Sequence, residues 1–86
     1  MRNSIFLSRQ AEKFLSNLRD AALYARLRGQ IDALGEHARP TGCVKLAGGP
    51  DLYRIRAGDY RIIYQVKDKF LTVLVVSIGH RRDIYR

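Results

Sequence analysis

The second half of the chain most constrains its fold. Three segments, Leu52–Arg56, Tyr60–Val66 and Phe70–Ile78, are dense in β-branched and aromatic residues, and only Ala57-Gly58-Asp59 and Lys67-Asp68-Lys69 separate them. Strand-forming runs joined by such short, turn-rich links pair as consecutive antiparallel hairpins. A meander of this kind has a face to bury, so another part of the chain must cover it. The first half supplies that cover. Ser8 is placed as a helix N-cap, and Ala11, Phe14, Leu15 and Leu18 then recur at i, i+3, i+4, i+7. Asp20 caps a second helix, whose stripe Leu23, Leu27, Ile31 and Leu34 runs down to Gly35, a natural stop. Asn3–Leu7 reads as a short strand. His37–Pro50 reads as loop, punctuated by Pro40, Gly42, Gly48 and Gly49, with an extended piece at Val44–Leu46. The expectation is an α+β fold with an N-terminal strand and helical hairpin packed on an antiparallel β-meander, residues 1–86 forming a single domain.

A chain of 86 residues hides only ~60–65% of its unfolded surface, so its core is thin and a partner covering spare apolar surface would help it. Disulfides cannot compensate, because Cys43 is the only cysteine; this fits a reducing compartment. Met1–Leu7 holds one short apolar patch without the longer run of a secretory signal. The longest apolar run, Leu71–Ile78, is interrupted by Thr72 and Ser77 and falls far short of the ~20 residues that span a bilayer. The reading is a cytoplasmic protein without a membrane partner.

Charge gives the first functional clue. Sixteen Lys and Arg against eight Asp and Glu leave a net +8, and twelve of the sixteen are arginine. The excess is +3 up to Cys43 and +5 after it. Arginine suits phosphate, because its planar fork donates two parallel hydrogen bonds. An acidic partner follows, and nucleic acid is the commonest. A merely soluble basic surface is the plainer alternative.

Alternation across a strand puts Arg54 and Arg56 on one face, and Tyr53 and Ile55 on the other. In the next segment Arg61, Ile63 and Gln65 share a face, so a hairpin can bring Arg61 beside Arg54 and Arg56. Adjacent like charges on a sheet cost stability, which calls for a waiting polyanion or for edge protection and solubility. The last strand is expected to end at Ile78, with Gly79 freeing the backbone to turn and His80, Arg81 and Arg82 leaving the sheet together. Tyr85 follows. If this tail folds over the arginine face, guanidiniums, an imidazole and a phenol share one site. No carboxylate cluster has metal-ligand spacing, and one cysteine with two distant histidines makes no zinc site; neither metal nor cofactor is expected. Such a set suits phosphodiester cleavage by the substrate's own 2′-hydroxyl, because fixed cations stabilise charge developing on phosphate oxygens. Arginine, with a pKa above ~12, is no general base, which leaves His80, Tyr85 or no strong base at all.

The residues Lys45-Leu46-x-Gly48, Leu52-Tyr53-Arg54-Ile55-Arg56, Gly58-Asp59-Tyr60-Arg61-Ile62-Ile63-Tyr64 and Gly79-His80-Arg81-Arg82-Asp83-Ile84-Tyr85, in this order and spacing, resemble the RelE/ParE superfamily of toxins from toxin–antitoxin pairs. The ending is similar to the RelE branch. The resemblance implies a ribosome-dependent mRNA interferase that cuts mRNA in the decoding site, and an antitoxin protein that neutralises it. It further implies that Arg61 and Arg81 bind the scissile phosphate, that Arg54 and Arg56 hold RNA and support the transition state, and that Tyr85 stacks on a base or assists proton transfer. Lys45, His80 and Arg82 are expected to contact RNA. Known RelE members carry lysine where Arg54 and Arg56 stand, so proton abstraction is not assigned to those positions here. The ParE branch implies a different outcome, a non-catalytic inhibitor of DNA gyrase. A third reading is a degenerate member that only pairs with its antitoxin.

Overall fold

The computed structural model describes residues 2–80 and Arg82. Strand β1 (Ser4–Leu7) leads into helix α1 (Arg9–Ser16) and helix α2 (Ala21–Ala33); β2 (Val44–Lys45), β3 (Leu52–Ala57), β4 (Tyr60–Lys67) and β5 (Thr72–His80) follow. The strands form one five-stranded sheet in the order β1-β5-β4-β3-β2. The meander is antiparallel as expected, and β1 adds to it by pairing parallel with β5, Ser4 to Thr72 through Leu7 to Val75. Because β1 completes the edge beside β5, the sheet is mixed. Parallel neighbours need a long crossover, and both helices lie within it.

Both N-caps act as their residue types require. The Ser8 side chain accepts from the Ala11 N–H, and Asp20 accepts from the N–H groups of Ala22 and Leu23. The helices cover one face of the sheet. There Leu27, Ile31 and Leu34 of α2 and Ala11 and Leu15 of α1 pack against Tyr53, Ile55, Ile62, Tyr64, Val66, Val73, Val75 and Ile78. Each fully buried Leu or Ile adds ~1.5–3 kcal/mol, so this shared face accounts for most of the favourable burial. Phe14, Leu18 and Leu23 lie at its margin, half-buried.

Two connections differ from expectation. Ala57 pairs with Tyr60, which shortens the β3–β4 link to a two-residue turn at Gly58-Asp59. Gly58 has φ +63 while Asp59 keeps a negative φ, the pattern that puts glycine first in a type II′ turn matching strand twist. The β4–β5 link is longer: a 3₁₀ turn at Asp68–Phe70 and a left-handed Leu71 (φ +47) delay β5 to Thr72.

The last strand also runs further than expected, through Gly79 to His80. It carries a β-bulge. Ile63 faces Ser77 but Tyr64 faces Val75, leaving Val76 as the extra residue. Its carbonyl accepts from the Ser8 hydroxyl at 2.6 Å. Beyond β1, the Gln10 amide takes over the edge of β5: its Nε2 donates to the Ile78 carbonyl and its Oε1 accepts from the Ile78 N–H, both at 2.9 Å. One side chain thus copies a neighbouring strand.

A second polar assembly ties the loop after α2 to the far end of the sheet. Arg39 Nε donates to the Tyr53 hydroxyl at 2.9 Å, and its two terminal nitrogens donate to the two Asp68 carboxylate oxygens at 3.2 and 2.9 Å. Hydrogen bonding to Arg39 holds the Asp68 carboxyl below its ordinary range, and hydrogen bonding to Asp68 and then Tyr53 pushes Arg39 upward. Tyr64, fully buried, donates to the Ala38 carbonyl at 2.7 Å; burial is the largest cause of its raised pKa.

Candidate nucleic-acid interface

The sheet face opposite the helices carries the arginines. Across the strands, Arg56 of β3 registers with Arg61 of β4, and Arg61 registers with Gly79 of β5. Facing side chains in such a row have Cβ atoms ~5 Å apart. One row along, Arg54 registers with Ile63, and Ile63 with Ser77. Arg54 and Arg56 are ~7 Å apart along their strand. The three arginines therefore share one face, as alternation predicts. Gly79 has no side chain, so nothing from β5 fills the position beside Arg61.

The three differ in environment. Arg56 is exposed, Arg54 is half-buried and Arg61 is only 6% exposed. A guanidinium so removed from water must be held by hydrogen bonds or an opposite charge, and Arg61 does not stand alone. Arg61 is thus a fixed cation in the floor of the surface, with Arg56 exposed at its rim.

Sequence reasoning missed a fourth guanidinium. A Cβ placed on Gly58 would lie 3.3 Å from Arg26 Nη1, so α2 delivers Arg26 to the turn at the same end of the sheet. Its only signal was its position in α2, one residue before the buried Leu27, and helix spacing alone does not show which strand turn lies alongside.

Two expected RNA contacts fall on the other side. Lys45 registers with Tyr53, and His80 with Tyr60, and both partners belong to the helix-covered face. His80 therefore does not join the guanidiniums, a correction that follows from the bulge and from the continuation of β5. Arg82 lies just beyond β5 and is exposed. Arg81 and Tyr85, assigned to the site by resemblance, lie outside the described residues.

A depression of about 480 Å³ on the helical side is lined by residues that include Leu7, Arg9, Glu12, Tyr24 and Arg28, and by none of Arg54, Arg56 and Arg61. A basic sheet face can receive an extended polyanion, whereas a small-molecule site is usually concave and mostly apolar.

Two helices packed on one face of a five-stranded mixed sheet define the RelE-like class of α+β fold. Residues 5–85 match the model of the family described as ParE toxin of type II toxin-antitoxin system, parDE, and the chain belongs to that family. Among solved structures, the chain is similar to an archaeal RelE–RelB complex from Pyrococcus horikoshii OT3, with 32% identity, a TM-score of 0.82 and coverage of 96% of this chain and 99% of that one. The intact Escherichia coli RelBE toxin–antitoxin complex gives 30% identity and a TM-score of 0.77 over 91% and 95% of the two chains. Among curated proteins, the mRNA interferase toxin RelE of E. coli K12 is 49% identical over 39 residues, 43% of this chain and 41% of that protein. Toxin RelG of Mycobacterium tuberculosis is 41% identical over 34 residues, 40% of this chain and 39% of that protein. These matches span about two fifths of each curated relative.

Proposed function

We propose that this toxin is a ribosome-dependent endoribonuclease that cleaves mRNA in the decoding site without a metal ion, and that a cognate antitoxin protein silences it. The observation that carries the reading is the Arg56–Arg61–Gly79 row, with Arg54 beside it, on the sheet face opposite the helices. In the reaction the substrate's 2′-oxygen attacks the adjacent phosphorus and the bond from phosphorus to the 5′-oxygen breaks. The products are a 2′,3′-cyclic phosphate and a 5′-hydroxyl, the proton passing from the 2′-oxygen to the leaving oxygen. Charge builds on the non-bridging oxygens, where Arg61, fixed by burial, acts without reorganising; one such donor commonly supplies ~3 kcal/mol. Arg54 and Arg56 hold the RNA, and Arg81 completes the phosphate clamp. Tyr85 stacks on a base or assists proton transfer. Arg82 serves as an outlying backbone contact. With no strong base among the arginines, cleavage of naked RNA is slow and the ribosome supplies substrate geometry. Similarity to the mRNA interferases RelE of E. coli and Shigella flexneri, and to solved toxin–antitoxin complexes, supports this reading.

The family model's own description, a ParE toxin, favours one second reading: a binder that poisons DNA gyrase, with the arginines as a contact surface only. Primer extension on mRNA in a translating extract decides between them. New cuts within codons that vanish without ribosomes, and that fall about a hundredfold or more in Arg61→Ala, support the nuclease. Intact mRNA together with inhibited gyrase supercoiling would move the protein to the second reading.

A further inference from the structure

At the end of β5 three rings lead outward from the helical layer. Phe14 of α1 meets Tyr60 edge-on, centroids 6.0 Å apart, and Tyr60 meets His80 at 5.3 Å with planes at 86°. Tyr60 and His80 are also register partners, so both backbone and ring fix the imidazole. Its Nδ1 accepts a hydrogen bond from the Arg82 N–H at 3.3 Å. The donor lies two residues ahead, the relation an Asn or Asp side chain makes with its own backbone in an Asx-turn. Nδ1 is three bonds from Cα, as is the Oδ1 of asparagine. An accepting Nδ1 puts the ring proton of neutral His80 on Nε2.

We propose that His80 is a positioning residue: its imidazole, braced on Tyr60, holds the Arg82 amide and so places Arg82, the outlying RNA contact, at the end of β5. This reading replaces the two roles that residue type suggests. As proton carrier or RNA contact His80 would need to reach the Arg56–Arg61 row, but its register puts it on the other side of the sheet. The proposal rests on the nuclease reading for its functional consequence, though not for the contact itself.

The test uses the full chain with His80→Asn, His80→Ala and His80→Phe, reading Arg82 amide hydrogen exchange by NMR and ribosome-dependent cleavage in parallel. Asparagine keeps the acceptor and phenylalanine keeps the ring. The expected result is wild-type exchange and cleavage within about threefold in His80→Asn, with Arg82 exchange about fivefold faster in His80→Ala and His80→Phe, the factor of one modest hydrogen bond. Cleavage falls with it. Equal protection of the Arg82 amide in all variants overturns the proposal. So does loss of cleavage in His80→Asn with Arg82 still protected, which would return the imidazole to the chemistry. A wild type that cuts no mRNA defeats the nuclease reading alone, and the exchange rates still decide whether the latch exists.

Discussion

Replacing Gln10 by alanine tests whether a side chain substitutes for a strand at the edge of β5. The amide makes two bonds of 2.9 Å with the main chain of Ile78, whose side chain is 1% exposed. Each such bond has a net worth of ~0.5–1.5 kcal/mol, and a partly buried group left without a partner costs more. The expected loss for Gln10→Ala is therefore about 2 kcal/mol. With ~4–8 °C per kcal/mol for a chain of this size, the melting temperature should drop by roughly 10 °C. Urea unfolding should lose about 1–2 M in midpoint, and the Ile78 amide should exchange faster than its neighbours in β5. Gln10→Glu sharpens the test at neutral pH: the carboxylate still accepts from the Ile78 N–H but sets a negative oxygen against the Ile78 carbonyl, so it should be no more stable than alanine. A Gln10→Ala protein within ~0.5 kcal/mol of wild type, with unchanged Ile78 exchange, would refute the idea that the amide acts as a sixth edge. Activity links to the same point, because Ile78 directly precedes the Gly79 that stands beside Arg61.

Three further outcomes follow from contacts away from the arginines. Tyr64→Phe removes the hydroxyl that donates to Ala38 and should cost about 1 kcal/mol in denaturant unfolding; no change would mean the carbonyl is satisfied otherwise. Burial raises the Tyr64 pKa above its unfolded value, so its contribution is complete below the ordinary phenol range near ~10 and is lost as pH rises through the raised value. The phenylalanine variant should lack that alkaline loss. Asp68 titrates below its unfolded value because Arg39 holds it, so its contribution is present above ~3.9 and fades as pH falls through the depressed value. A carboxyl-carbon NMR titration should move upward in Arg39→Lys, which cannot form the paired contact. Gly58→Ala meets both a positive φ and the Arg26 guanidinium, and should destabilise by more than ~1 kcal/mol; a neutral result would argue against the tight turn.

The helices and the arginine face were legible because they depend on local rules. Periodicity placed Leu27, Ile31 and Leu34 in the core, and alternation placed Arg54, Arg56 and Arg61 together. Ser8 and Asp20 behaved as caps for the same reason. What escaped were long-range relations. The pairing of β1 with β5 joins residues 68 apart, and no pattern within either strand announces it. The place of His80 depends on the Val76 bulge, since strict alternation cannot show where a strand takes on an extra residue. Arg26 reaches the β3–β4 turn only because α2 runs beside it. Phe70, apolar and β-favouring, looked like strand, yet it sits 76% exposed in the turn that brings Leu71 to a left-handed conformation.

The Val76 bulge gives β5 one place where its length can change harmlessly. Before it, Val73 and Val75 face the helices; after it, Ile78 and His80 do. Deleting Val76 alone would join Val75 to Ser77 and leave each β4 residue opposite the same β5 partner, at the loss of the Ser8 contact to the Val76 carbonyl. Deleting Gly79 instead would change what stands beside Arg61. Related chains that differ by one residue in this strand can therefore share the same arginine surface, provided the gap is aligned at the bulge.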